Sequence, residues 1–188
     1  MIRSFRLPLL IAPIAVLVLF CSGCAVPGVK SPGGNAGLID VTVYEKERTT
    51  LDEAMAALRK AEQDELLDLT GMEITQVMGV RVDQEGKARI WTLGFRGLNS
   101  TKILEFERGS WTRLDLELPL PEQEIPLDRV LSPERLYLTQ KDRIQEALDR
   151  HGDTESDLLL AGGVYTLTVP SPSGTTVLTF DARTGDVR

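Results

Sequence analysis

Aromatic residues are scarce in this chain, at 5% of 188 positions, and histidine occurs once. A core built from such a sequence must rest on Leu, Val, Ile and Ala. No run of Lys and Arg appears, and the formal net charge is −7. Nucleic-acid binding is therefore excluded as an expectation, because neutralising phosphates needs clustered cations. There are two cysteines, Cys21 and Cys24, both close to the N-terminus. If that segment is removed, the remaining domain has no disulfide, which leaves the hydrophobic core to stabilise it. Catalytic signatures are missing too. No Gly-x-Ser-x-Gly elbow, HExxH or Gly-rich phosphate loop is found. His151 precedes Gly152 at an expected helix C-terminus, where a His complements the helix dipole. The sequence thus calls for no enzyme activity, no cofactor and no metal.

What is present begins with export. Arg3 and Arg6 precede an apolar run from Leu7 to Phe20, interrupted by Pro8 and Pro13. That is the pattern of a signal peptide, and the run is short for a spanning helix. The "FCSGC" that follows resembles a lipoprotein signal, with small residues before Cys24. The resemblance implies that the Cys24 thiol forms a thioether with a diacylglycerol, as a palmitate-bearing anchor, and that the chain is cleaved after Gly23. Cleavage would take 23 residues from 188, leaving 165, and the loss of two arginines would move the charge from −7 to −9. Residues 1–23 are the expected signal peptide and 24–37, "CAVPGVKSPGGNAG", a flexible tether.

The expected fold class is α+β, as two tandem repeats, each a helix packed on an antiparallel β-meander. The first repeat is assigned to 38–118. "LIDVTVYEKE" alternates like a strand, and Thr50 with Glu53 forms a capping box for a helix ending near Gly71. Four strands then end at Val82, Phe95, Glu107 and Leu118, separated by turn-forming breaks. A proline-rich linker spans 119–133, and Ser132–Pro133 is suited to open a short helical turn. The second repeat is assigned to 134–188. Thr139 with Asp142 is expected to cap its helix, "DTESD" to be a solvated loop, and two strands to follow around "PSPSG". Shifted by 74, Trp91–Glu107 lies over Tyr165–Asp181 without a gap and with five identities, among them Leu104 with Leu178 and Phe106 with Phe180. Shifted by 90, Thr49 falls on Thr139 and Leu58 on Leu148.

The closing "FDARTGDV" resembles the end of a PepSY-type domain, with Phe180, Asp181, Thr184, Gly185, Asp186 and Val187 in the matching places. The match covers Thr139–Val187, and the first repeat keeps a degraded copy in which "FERGSW" replaces the turn. Helix-then-meander order is also similar to small outer-membrane assembly lipoproteins and tandem β-lactamase-inhibitor proteins. Both resemblances imply a non-enzymatic module outside the cytoplasm. Its expected partners are the membrane, through Cys24, and an envelope protein or peptidase; the alternative is a structural component of an envelope assembly. Trp111, Trp91 and Tyr165 are candidates for a binding surface, with Trp111 expected to be partly exposed. Asn99 heads a formal N-glycosylation sequon, Asn-Ser-Thr, in an expected hairpin loop.

Overall fold

The computed structural model describes residues 47–116, 119–171 and 174–188, which belong to one compact unit. Its first helix, α1 (Leu51–Gln63), opens with the capping box expected from sequence. Thr50 Oγ1 accepts from the Glu53 amide at 3.1 Å, and Glu53 Oε2 accepts from the Thr50 amide at 3.0 Å. The helix stops well short of Gly71. Glu65 adopts a left-handed φ of 56°, its amide bonding Glu62 O and that of Leu66 bonding Ala61 O. These two bonds make a Schellman cap without its usual glycine, so the sequence gives no stop signal.

Strands β1 (Glu73–Val82), β2 (Ile90–Arg96), β3 (Thr101–Glu107) and β4 (Ser110–Leu114) form an antiparallel meander. A 3-10 turn at Leu127–Arg129 leads to α2 (Pro133–Thr139) and α3 (Lys141–His151). Then come β5 (Ser156–Ala161), β6 (Val164–Ser171) and β7 (Gly174–Asp181). All seven strands make one sheet in the order β4-β3-β2-β1-β5-β6-β7, every pairing antiparallel. The class is α+β, with a single sheet and few helices.

Three expectations change here. The second half has a third strand, β5, beside the central β1, between the expected "DTESD" loop and the first of the two expected strands. Three consecutive leucines hide the alternation, since Leu158 and Leu160 are buried on one side while Leu159 faces the other. The 119–133 segment is no loose spacer: Ile125 is buried and its amide bonds Ile74 O at 2.7 Å. The cap expected at Thr139 is absent. Thr139 ends α2, and Gln140 precedes α3 without a side-chain capping bond, its Nε2 amide instead donating to Gly185 O at 2.9 Å, while Ser132 Oγ caps α2 by accepting from the Arg135 amide.

One face of the sheet carries the core. Trp91, Leu93 and Phe95 of β2, Leu104 and Phe106 of β3, Leu158 and Leu160 of β5, Tyr165 and Leu167 of β6 and Phe180 of β7 are buried there with Leu51, Ala54 and Leu58 of α1 and Ile144, Ala147 and Leu148 of α3. Each such large side chain contributes about 1.5–3 kcal/mol on burial. Gly79 makes room for Trp91, since a Cβ on it would lie 2.7 Å from the indole.

The two halves of the sheet share one register. Trp91 opposes Phe106 and Leu93 opposes Leu104; 74 residues on, Tyr165 opposes Phe180 and Leu167 opposes Leu178. At the centre, Met78 pairs with Leu159, flanked by Val77 with Leu160 and Gly79 with Leu158. A half-turn about the Met78–Leu159 pair exchanges those flanking pairs, so the register has a local two-fold. The polar tips follow it. Trp91 Nε1 donates to Thr49 O at 2.9 Å, and the Tyr165 hydroxyl donates to Leu131 O at 2.6 Å, each carbonyl standing just before a helix cap. These bonds align Thr49–Thr50 with Leu131–Ser132, rather than with Thr139 as the sequence shift of 90 had it.

Candidate functional site: the face opposite the helices

Successive residues of a strand point to opposite faces, so the partners of the core residues define a second face. Across the middle it reads Thr112, Glu105, Thr92, Met78, Leu159, Thr166 and Thr179, one residue per strand in register. Val80 and Ile90 lie on one side of this row, Ala161 and Val164 on the other. Met78, Val80, Ile90, Leu159 and Val164 are half-buried and belong to neither the core nor the residues packed against it. The face is therefore aliphatic and threonine-rich, with acidic groups at its borders.

Its two halves differ in cover. Over β2, Leu120 rests on Gly94, where a Cβ would fall 2.7 Å from the Leu120 methyl. Arg96 holds the same segment, donating to Pro121 O at 3.5 Å and reaching Glu122 at 3.4 Å. Neighbouring Ile103 is only 4% exposed. Under the local two-fold Ile103 corresponds to Val177, which is 53% exposed.

One end of the face is stapled by charge. Glu155 binds Arg48 and, at 2.5 Å, Arg81 Nε; Arg48 also donates to Arg81 O at 2.6 Å. Arg81 sits in a bulge at φ 54°, and its amide donates to Asp157 Oδ1 at 3.0 Å. Hydrogen bonding from Arg81 lowers the Glu155 pKa, and Arg48 adds to the effect. "DTESD" is thus built into the fold: Asp153 takes the Thr154 amide, Glu155 the two guanidiniums, and β5 starts at Ser156. Beside the staple, Val80, Arg81, Asp153, Asp157 and Pro170 line a recess of about 350 Å³.

The other end is closed by the "DARTGD" turn. Asp181 Oδ1 accepts from the Arg183 and Thr184 amides at 2.9 and 3.1 Å, and Oδ2 takes Arg188 at 2.5 Å. Arg188 first, then those amides, hold the Asp181 carboxyl at about 2. Gly185 has φ 78°, and a Cβ there would stand 3.0 Å from Leu131. Asp181 Oδ1 and the Thr184 hydroxyl, which accepts from the Asp186 amide at 3.2 Å, hold the backbone of the turn, as turn-forming residues do.

The residues picked out in the sequence are dispersed. Trp91 and Tyr165, at 0% and 1% exposure, are core residues, because their faces pack under the helices and their polar atoms are bonded to backbone. Neither offers a surface. Trp111 is half-buried at the rim of the core, its ring 5.1 Å from that of Phe106 and its N–H donated to Ala54 O at 3.1 Å. Asn99 is exposed in the β2–β3 loop. Cys24 lies outside the described residues, as do the "LIDVTVYEK" stretch and the signal-like segment. His151 Nε2 contacts Thr176 Oγ1 at 2.6 Å at the end of α3. Among the described residues, no three His, Cys, Asp or Glu side chains gather to hold a metal ion. Nor is any described helix long and apolar enough to cross a membrane. The aliphatic face itself was missed because it is made of ordinary strand residues; only placing β5 beside β1 makes it continuous.

Fold and site together define, among the described residues, a two-layer α+β protein: a seven-stranded antiparallel sheet, helices on one face and an aliphatic, threonine-rich opposite face. Comparison with protein-family models, curated proteins and solved structures found no match for the chain.

Proposed function

We propose that this protein is an exported lipoprotein, anchored through Cys24, that acts as a non-catalytic binding module for a protein of the cell envelope. The observation that carries this reading is the half-buried aliphatic strip Met78, Val80, Ile90, Leu159 and Val164, outside the core. An antiparallel sheet commonly packs one face and leaves the other to water, and that face is then ordinarily polar. A contiguous aliphatic strip there marks an interaction surface. The surface is aliphatic rather than aromatic, which distinguishes it from the aromatic face expected of a binding module at the outset. The two halves are read as tandem repeats, on the support of the shared register 74 residues apart and the paired Trp91 and Tyr165 bonds. The likeness of Thr139–Val187 to PepSY-type domains belongs to this reading, with β5 an addition to the expected helix and hairpin.

The anchor is tested by metabolic palmitate labelling: the wild type is labelled, and Cys24→Ser is unlabelled and released from membranes. Retention of the unlabelled variant would sink the anchor. The binding face is tested with a photo-crosslinking amino acid at Thr166, on the aliphatic face, or at Arg143, on α3. Discrete adducts in intact envelopes are expected from Thr166 and not from Arg143. The same adducts from both positions would remove the face from consideration.

A further inference from the structure

We infer that the uncovered half of the aliphatic face, at Thr168, Val177 and Pro170, takes an extended, proline-flanked aliphatic peptide segment of a partner whose next residue is basic. This deepens the binding reading above and rests on it. The argument starts from the half that is already covered. There, in the row Gln76–Gly94–Ile103, Leu120 of the chain's own Pro119-Leu120-Pro121 lies on Gly94, whose register neighbour Ile103 is buried. The local two-fold carries that row onto Asp157–Thr168–Val177, which is equally contiguous in register. It also carries Arg96 onto Pro170 and Thr101 onto Thr175. Val177, the counterpart of buried Ile103, is exposed. Among the described residues, then, the chain's own segment covers one half of the face, and the corresponding place on the other half is uncovered.

The counterpart is altered in two ways, and each specifies the occupant. Thr168 has a Cβ where Gly94 has none, so an aliphatic side chain rests on Val177 and Pro170 instead of touching backbone. The charge is reversed as well. In the covered half Arg96 reaches Glu122 of the segment. In the other half the recess beside Pro170 is lined by three acids, Asp153, Glu155 and Asp157, and one cation, Arg81, with Arg48 binding Glu155 from outside the lining. Complementarity then places Lys or Arg where Glu122 stands in the internal segment. A second copy of this acidic chain is a poor occupant for the same reason.

The probe is a fluorescein-labelled peptide, Leu-Pro-Leu-Pro-Lys-Gln, which is the sequence of residues 118–123 with Lys replacing Glu. Its anisotropy is titrated with the full chain in detergent, against the parent peptide with Glu. The Lys peptide is expected to bind at least fivefold more tightly than the Glu peptide. Val177→Asp, at an exposed position, is expected to weaken it about tenfold with unchanged circular dichroism. Asp153→Asn is expected to narrow the gap between the two peptides. Equal binding of both peptides, or Lys-peptide binding untouched by Val177→Asp, overturns the inference. So does a dimer, seen in sedimentation, that Val177→Asp dissociates, since a second copy then owns this face. None of these results alters the Thr166 crosslinks, which test the broader reading separately.

Discussion

Thr75 is fully buried at the bulge where β1 shifts register against β2, and its hydroxyl has no hydrogen-bond partner among the described residues. An unpaired buried hydroxyl has lost its water without compensation. Thr75→Val, close in shape, is therefore expected to stabilise the fold by about 1 kcal/mol, read as a higher urea midpoint at constant m-value. An unchanged or lower midpoint would mean that the hydroxyl is satisfied in solution. Gly79 sits at the opposite extreme. A methyl there meets the Trp91 ring at 2.7 Å, backed by Val82 at 2.9 Å, so Gly79→Ala is expected to cost roughly 1–3 kcal/mol. Of these single-residue roles, the sequence disclosed the local ones. Asp181 and Gly185 act within a few residues of themselves, so their turn chemistry is written in "DARTGD". Gly79 and the indole it accommodates lie 12 positions apart on two strands, and nothing near "VMGVRV" announces the contact.

Among the elements, the clearest dependence on solution conditions belongs to the Arg48–Glu155–Arg81 staple. It ties the lead-in to α1, the bulge of β1 and the start of β5. Because the folded state depresses the Glu155 pKa below its ordinary 4.5, this contribution is complete above that value. It is lost as pH falls through the depressed value. Glu155→Gln is thus expected to lower stability near neutrality and to flatten the acid limb, the two proteins converging at low pH. Parallel acid limbs in urea titrations from pH 7 to 3 would show that the staple does not act through that charge. The start of α1 and the strands of the first meander were legible, since capping boxes and alternation are written in consecutive residues. The end of α1 and the whole of β5 were not. A left-handed Glu65 replaces the expected glycine, and a Leu-Leu-Leu run carries no period. "DTESD" read as solvated because its two guanidiniums come from Arg48 and Arg81, at least 74 residues earlier.

At the scale of the whole molecule, the two halves are one sheet, and the join is β1 against β5. The order of the first meander and of the β6–β7 hairpin was readable, yet the join was not, because the strand that makes it went unseen. Met78 and Leu159 meet across 81 positions of chain, whereas β2–β3 and β6–β7 are closed by short turns. Closing a long loop costs entropy before its contacts repay it, so hairpins form early and the join late. Time, then, separates what space has merged. Leu160→Ala, at the join, is expected to lose about 2–5 kcal/mol almost wholly as faster unfolding. Leu104→Ala, inside the β2–β3 hairpin, is expected to slow refolding instead, and stopped-flow chevrons of the two variants decide between these limbs. Before the join closes, each half exposes a raw strand edge, β1 on one and β5 on the other. The hazard in this chain's folding is therefore the meeting of two molecules at that edge. Such an exchange would keep the native register and produce an intertwined dimer, its yield rising with concentration during refolding.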